Sequence, residues 1–278
     1  MYNLEILEKG CEELGIALND TQKNQFIRFY EYLVEKNKVM NLTGITEFDE
    51  VLVKHFLDSL CCVKAVDMNN VKTVMDIGTG AGFPGVPLKI AFPEVEACLL
   101  DSLNKRVKFL EETFALLGLE GISAIHGRAE EYAKNKAYRE KYDLCVSRAV
   151  SGLATLSEYC LPYVKVGGLF VSYKSGSVKE EAEAAEKAVK ILGGKIRDIQ
   201  YFDLPGSEIG RSLVIIEKVK NTPGKYPRKA GTPLREHWHK IPPVEQSQNL
   251  SDRRFFCLGV SQNYHKFILL LSQITSTL

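Results

Sequence analysis

A regular alternation of strand-like and helix-like segments between residues 71 and 219 constrains the fold more than any other feature of the sequence. Strand-like runs lie at 71–77, 95–101, 122–127, 142–149 and 167–174, and a helix-like segment follows each of them. Near-continuous apolar runs such as LCV and LFV suit strands that helices cover on both faces. The alternation predicts a doubly wound, mainly parallel α/β sheet. Two further strands, at 195–204 and 211–219, have no helix between them, which predicts an antiparallel hairpin at one edge and seven strands in all.

The segments on either side of the alternating region differ from it. Residues 1–66 have apolar side chains at helical spacing and predict an N-terminal helical lobe, whose third helix runs from about Glu47 to Val66. Residues 67–220 then form the α/β domain. Residues 221–278 begin with an extended segment rich in Lys, Arg, Pro and Gly. The tail from 236 onward is interpreted as poorly ordered with one short helix, and an added packing element is the alternative.

Composition excludes several classes of protein. The chain has 278 residues, of which 45% are hydrophobic and 26% charged, as in ordinary globular proteins. No apolar stretch approaches the roughly 20 residues of a membrane span. Seven cysteines without a C-x-x-C pair predict reduced thiols and a cytoplasmic location. His237, His239 and His265 lie near Cys257 in the sequence, but their spacing fits no common zinc site, so no metal is expected. The formal net charge of +1 means that any basic surface is local.

The loop after the first strand contains the most specific pattern. Residues 80–85 read G-x-G-x-x-G, which is typical of a dinucleotide-binding turn. Asp76, however, places a carboxylate where a pyrophosphate would sit, and Pro84 removes a backbone donor from the start of the helix. S-adenosylmethionine carries positive charges and no phosphate, so an acid at the strand tip favours it over NAD. Gly80 lets the backbone approach such a ligand, and Asp101, at the end of the second strand, can accept hydrogen bonds from ribose hydroxyls.

Several stretches together resemble a known family. They are NLTGI at 41–45, VKHFLDSL at 53–60, DIGTGAGFPGVPLKI at 76–90, LLDSLNKRVKFL at 99–110, RAEEY at 128–132, VSRAV at 146–150, YKSG at 173–176 and KYPRKAGTP at 225–233. The combination resembles the bacterial glucose-inhibited division protein B family, which methylates N7 of a guanine in the 530 loop of 16S ribosomal RNA. The resemblance covers about residues 1–233, since family members usually end soon after the last of these stretches.

The resemblance implies a seven-stranded, Rossmann-like methyltransferase fold and an S-adenosylmethionine site. It assigns to that site the residues Gly78, Phe83, Ala129, Glu130 and Arg148. The implied substrate is 16S rRNA or an assembly intermediate of the small subunit, with no DNA or membrane partner, and a monomer is expected. Guanine N7 is a nucleophile without deprotonation, so no general base is required and positioning should supply most of the catalysis.

Arg148 and Lys174 are the candidates for a role in transfer, because both lie at carboxyl ends of predicted strands. The candidates for RNA contact are Lys105, Arg106, Arg211, Lys225, Arg228 and Lys229, and Lys54 and His55 could line the same cleft. For each single cation, a solvated charge or a structural ion pair is the alternative. Cys61 and Cys62 are expected to be buried rather than nucleophilic. A methyltransferase for another RNA or a small molecule, a non-catalytic S-adenosylmethionine or RNA sensor, and a nicotinamide-dependent reductase remain alternatives.

Overall fold

The computed structural model describes residues 2–149, 151–235 and 238. Its strands are β1 (Thr73–Ile77), β2 (Glu96–Asp101), β3 (Ile122–His126), β4 (Tyr142–Ser147), β5 (Val164–Ser175), β6 (Gly194–Asp203) and β7 (Gly210–Lys218). They form one sheet in the order β3-β2-β1-β4-β5-β7-β6. The pairs among β1 to β5 are parallel, while β7 is antiparallel to both β5 and β6. The predicted doubly wound, mainly parallel sheet is confirmed, and β6 is the edge strand of the predicted hairpin.

Helices cover both faces of the sheet. They are α1 (Glu5–Glu13), α2 (Asp20–Met40), α3 (Phe48–Val51), α4 (Asp58–Leu60), α5 (Gly85–Ala91), α6 (Asn104–Leu117), α7 (Ala129–Tyr132), α8 (Leu153–Cys160), α9 (Lys179–Ile191) and α10 (Thr232–Arg235). Side chains alternate along each strand, so Val74 packs into one hydrophobic cluster and Met75 into the other. The first cluster contains side chains of α1, α2, α5 and α6, and the second contains side chains of α7, α8 and α9.

The N-terminal helices share the core of the sheet. Leu7, Phe26 and Phe29 are fully buried and belong to the same cluster as Val74 and Leu110. Residue 66 therefore marks a change in secondary structure rather than a break in the hydrophobic core. A capping box begins α2, in which the side chains of Asn19 and Gln22 each accept a hydrogen bond from the other's backbone N–H group.

The third helix is less regular than its sequence pattern predicts. After α3 the chain forms a π-helical segment, Leu52–Leu57, then α4, and then a 3₁₀ turn, Cys61–Lys64. A π-helical segment widens the turn by one residue, a feature that is frequent at functional sites. Here it contains His55, whose Nδ1 lies 3.4 Å from Nη2 of Arg148, the residue directly after β4.

The segment after β7 is held by buried polar contacts. Lys218 is fully buried, and its Nζ donates to Leu161 O at 2.5 Å and to Thr222 Oγ1 at 2.8 Å. Arg139 donates to the carbonyl oxygens of Thr222 and Tyr226. The start of the basic segment is thus fixed against the residues that precede β4, β5 and β6.

Trp238 is 4% exposed and packs against Tyr226, with ring centroids 5.3 Å apart. The rest of the tail from 236 onward, with the proposed short helix and the histidine and cysteine positions 237, 239, 257 and 265, lies outside the described residues. In the described part, the six cysteines 11, 61, 62, 98, 145 and 160 are free and buried. No described helix has both the length and the apolar character that crossing a membrane requires.

Candidate functional site

The glycine loop between β1 and α5 forms one wall of a cavity of about 510 Å³. The cavity, hereafter the loop cavity, lies beyond the carboxyl ends of β1, β2 and β4, where doubly wound sheets bind ligands. Gly78 and Gly80 both line it and have φ values of 72° and 63°. These values favour glycine, and a Cβ atom on Gly80 would meet no atom within 4 Å, so the backbone itself faces open space.

Asp76 lies behind the loop rather than in the cavity. Its side chain is fully buried, and Oδ2 accepts hydrogen bonds from Thr79 Oγ1 at 2.7 Å and from the N–H of Gly85 at 2.8 Å. Burial raises the pKa of Asp76 to about 7, although these hydrogen bonds and the charge of Arg148 act in the opposite direction. The carboxylate therefore ties the end of β1 to the start of α5 and holds the loop between them. The sequence suggested that this acid favours a cationic ligand, and its described contacts are with the loop, since Asp76 does not line the cavity.

Asp101 supports the same loop from β2. It is 2% exposed, Oδ2 accepts from the N–H of Gly80 at 2.9 Å, and Oδ1 accepts from the N–H of Leu103 at 2.9 Å. The guanidinium of Arg106 lies 3.4 Å from Oδ2, at the rim of the loop cavity. Arg106, a candidate for RNA contact, is thus also paired with an acid of the cavity wall.

The opposite wall of the loop cavity comes from α7 and α8. Ala129, Glu130 and Tyr159 line it. Oε1 of the buried Glu130 accepts a hydrogen bond from the N–H of Gly231 at 2.8 Å, which joins the basic segment to this wall. The two family-implied residues of α7 therefore lie beside the cavity, as their sequence position predicts.

Phe83, Arg148 and His55 form a stacked group at the inner end of the loop cavity. The guanidinium carbon of Arg148 lies 5.0 Å from the ring centre of Phe83, and the imidazole of His55 stacks on the same ring at 4.5 Å. His55 Nε2 hydrogen-bonds Thr43 Oγ1 at 2.7 Å. Burial, and then the charge of Arg148, lower the pKa of His55 to about 4, so the imidazole is neutral at pH 7.

A second cavity, of about 640 Å³, adjoins the first and is hereafter the arginine cavity. The two share His55, Arg148, Ala149 and Ser151 in their walls. Four cationic side chains and two carboxylates line the arginine cavity: Lys54, Arg148, Lys174 and Arg211, with Asp58 and Glu181. Its formal charge is therefore positive, which suits an anionic ligand.

The acid Asp58 lies at the base of the arginine cavity and is 4% exposed. Its Oδ2 accepts from Arg148 Nη1 at 2.8 Å, and its Oδ1 accepts from Arg211 Nε at 3.1 Å. Sequence reasoning missed Asp58. The available signal was its spacing in VKHFLDSL, where Asp58 follows Lys54 by four residues and His55 by three, so that it shares a helical face with both.

The other predicted cations are dispersed. Lys174 donates to Ser151 O and pairs with Glu181 Oε1, both at 2.8 Å, inside the arginine cavity, while Lys105 donates to Met40 O at 3.2 Å at a distance from it. Lys54 pairs with Glu50 on the same helical segment. Lys225 and Lys229 are exposed on the basic segment.

Arg228 has a different environment from its neighbours in that segment. Its guanidinium Nη2 lies 2.7 Å from Oε2 of the fully buried Glu158, and its backbone N–H donates to Oε1 of the same residue. Because a buried carboxylate without a partner is costly, this contact favours a structural role for the Arg228 side chain. A contact between Arg228 and RNA stays a prediction.

The chain is similar to known ribosomal RNA methyltransferases. A model of the GidB family, described as rRNA small subunit methyltransferase G, matches residues 22–209. The protein of that name from Alkaliphilus metalliredigens is 51% identical over 236 residues, which cover 85% of this chain and 99% of that protein. The protein of that name from Lachnoclostridium phytofermentans is 53% identical over 227 residues, which cover 82% and 94%.

Among solved structures, that of M. jannaschii TYW2 in complex with AdoMet aligns with a TM-score of 0.43 and 13% identity. The alignment covers 53% of this chain and 69% of that chain.

Proposed function

The chain belongs to the rRNA small subunit methyltransferase G family, and we propose that it methylates N7 of a guanine in the 530 loop of 16S rRNA with S-adenosylmethionine as methyl donor. The observation that carries this proposal is the meeting of two cavities at Arg148. Methyl transfer between two bound partners requires adjacent sites whose contents can be aligned. The loop cavity would hold the donor and the arginine cavity the acceptor nucleotide.

The loop cavity fits an adenosyl ligand better than a dinucleotide. A pyrophosphate needs free backbone N–H groups at the glycine loop. In this chain the loop uses those groups internally: the N–H groups of Gly78, Thr79, Gly80, Gly82, Phe83 and Gly85 donate to Leu100 O, Thr79 O, Asp101 and Asp76. The cavity volume lies within the roughly 300–1,000 Å³ usual for ligand sites. The alternative of a nicotinamide-dependent reductase therefore loses support.

Several residues would hold the donor. Gly78 and Gly80 give access to the backbone, and Phe83 presents an apolar face backed by His55. Glu130 and Ala129 line the cavity, where the carboxylate and the backbone could hydrogen-bond the polar edge of the donor's adenine. S-adenosylmethionine, when bound, supplies a methyl group that its sulfonium already activates. The carboxylates of Asp76 and Asp101 contribute by holding the loop in shape.

The arginine cavity supports the acceptor half of the proposal. Arg148 and Arg211 offer planar N–H donors suited to phosphate and to guanine oxygens, and Lys174 adds a third cation. Because N7 is a lone pair, the chain need not remove a proton. His55 is neutral at pH 7, which suits a side chain whose role is to pack against Phe83 and Arg148 and hold them in place. These residues would act by fixing the nucleotide against the donor.

An active monomer is part of the same proposal. The proposed substrate, small-subunit rRNA or an assembly intermediate, supports a cytoplasmic site of action.

Methyl transfer can be tested directly with tritiated S-adenosylmethionine and small ribosomal subunits that lack the modification. We expect label in 16S rRNA, and we expect nucleoside analysis to identify it as 7-methylguanosine from the 530 loop. Large subunits serve as the negative control. Label in another nucleotide or only in another RNA would replace the proposed substrate. Absence of label from protein that binds the donor in calorimetry would favour a non-catalytic sensor.

Lys229→Ala should weaken binding to small subunits by a few-fold without changing donor affinity. Lys229 is exposed on the basic segment. If it contacts one phosphate, its loss should also reduce the slope of log affinity against log salt concentration by about 1. Filter binding at several salt concentrations measures both quantities. Lys195→Ala, on the exposed edge strand β6, is the matched control. An unchanged slope would remove Lys229 from the RNA surface.

A further inference from the structure

The contacts of Asp58 connect three distant parts of the sequence at one point. Asp58 belongs to α4, Arg148 follows β4, and Arg211 lies on β7. The two arginines are 90 and 153 positions away from Asp58 along the chain. Each of them bonds a different oxygen of the carboxylate, so the acid occupies the midpoint between two guanidiniums.

The burial of this group limits how the arginines can move. The side chain of Asp58 is 6% exposed, and those of Arg148 and Arg211 are 20% and 22% exposed. Charge-assisted hydrogen bonds in such a setting are short and directional. Arg148 has three more constraints: Nη1 also donates to Lys54 O, Nη2 lies 3.4 Å from His55 Nδ1, and the guanidinium stacks on Phe83. Arg211 Nη1 donates to the carbonyl of Gly210.

The charge balance around Asp58 leaves the arginines available to a ligand. One carboxylate opposes two guanidiniums, so the group keeps a net positive charge at the base of the arginine cavity. A guanidinium carries five N–H donors, and the described contacts use three of them in Arg148 and two in Arg211, so each arginine keeps donors for a ligand. An arrangement of this kind suits the phosphate of a nucleotide.

We infer that Asp58 is a positioning residue for the proposed methyl transfer, whose carboxylate orients Arg148 and Arg211 toward a phosphate of the acceptor nucleotide in the arginine cavity. This inference rests on the proposed function. Asp58 acts through the arginines and touches neither donor nor acceptor. A substitution of Arg211 tests the acceptor half of the proposed site alone, because Arg211 lines the arginine cavity but not the loop cavity.

A double-mutant cycle with Asp58→Asn and Arg211→Gln tests the inference. Asparagine keeps the size of aspartate, but its amide N–H₂ faces one of the arginines and displaces it. We expect each single variant to raise the KM for small subunits about 10-fold, which is the effect of losing one charge-assisted hydrogen bond. We expect the donor Kd to stay within about 3-fold in calorimetry. The double variant should resemble either single variant, because the two residues act as a unit.

Several outcomes would overturn the inference. Effects that multiply to about 100-fold in the double variant would mean that Asp58 and Arg211 act independently. Wild-type KM and kcat in folded Asp58→Asn would remove its positioning role. If Asp58→Asn does not fold, Arg211→Lys keeps the charge but loses the planar fork, and a wild-type KM in that variant would also contradict the inference.

The wild-type protein, assayed in parallel, separates this inference from the proposed function. No methyl transfer by the wild type would refute the proposed function alone. In that case the Kd of each variant for small subunits would be measured by filter binding. We expect the same non-additivity in these Kd values, and additive effects would overturn the inference.

Discussion

Arg148→Ala should lower kcat/KM for methyl transfer by at least about 100-fold, the largest effect expected of any single substitution in the described part of the chain. Arg148 lies in the walls of both cavities and stacks on Phe83 at 5.0 Å. Its removal opens the boundary between the proposed donor and acceptor sites, and small errors in the alignment of two reactants are costly. It also leaves Asp58 with a single ion-pair partner in a buried site.

The measurement is transfer of tritiated methyl groups to small subunits, with donor affinity measured separately by calorimetry. We expect the larger loss in transfer and a smaller loss in donor binding. Arg197→Ala, on the exposed edge strand, is the matched control for loss of an arginine. An Arg148→Ala variant with wild-type turnover would remove Arg148 from the site.

A second variant separates the two causes of this effect. In Asp58→Ala/Arg148→Ala the buried carboxylate that lost one of its two partners is also removed, so thermal stability should recover relative to Arg148→Ala. Transfer should remain low, because the boundary between the cavities is still open. Recovery of transfer in the double variant would show that the acid with one partner missing, rather than the missing guanidinium itself, caused the loss.

The fold was predictable because its signals are local. Several strands contain a short apolar run, such as LCV in β4 and LFV in β5, the longer helices have an apolar face, and the loop at 78–84 lies between β1 and α5. The π-helical segment Leu52–Leu57 was not predictable, since one extra residue in a turn leaves the apolar pattern almost unchanged. The predicted positions of β1, the glycine loop and α5 therefore match the structure more closely than those of the third helix.

The polar contacts of the site were less predictable than its location. The sequence places Asp76, Asp101 and Arg148 at strand ends, and the structure brings them to the loop cavity or directly behind it. The sequence alone cannot show that Asp76 accepts its hydrogen bonds from Thr79 and Gly85 at the two ends of the loop. The partners of Asp58 and of Arg228 lie 70 or more positions away, beyond the reach of any local pattern.

Asp76→Ala should weaken donor binding by roughly 30-fold, the second largest effect that we expect. Asp76 accepts the hydrogen bonds of Thr79 Oγ1 and of the Gly85 N–H, and both donors are buried with it. Alanine leaves these donors unsatisfied, at a cost of about 1–3 kcal/mol each, and releases the loop that shapes the cavity. Isothermal calorimetry with S-adenosylmethionine measures the change.

Asp76→Asn distinguishes two explanations of that loss. If Asp76 acts by its hydrogen bonds, asparagine should retain most of the donor affinity, because its amide oxygen can accept both bonds. Its N–H₂ then takes the place of Oδ1, which has no hydrogen-bond partner in the described part of the chain. If Asp76 instead attracts a cationic donor by its charge, asparagine should bind as weakly as alanine. The contacts of the carboxylate favour the first result.

The pH dependence of stability provides an independent check on the same residue. The folded chain raises the pKa of Asp76 from 3.8 to about 7, mainly by burial, with Asp101 acting in the same direction and Arg148 against it. Between about pH 4 and pH 7 the folded state therefore holds a proton that the unfolded state has lost. The stability contributed by the protonated group is complete below pH 4 and is lost as the pH rises through 7.

Asparagine cannot ionise, so Asp76→Asn should gain stability relative to the wild type between pH 5 and pH 7.5, as measured by urea unfolding. Asp198→Asn, at an exposed position of β6, should show no such trend. A constant difference between wild type and Asp76→Asn across this range would mean that Asp76 is ionised throughout, and would restore its charge as the feature that selects a cationic donor.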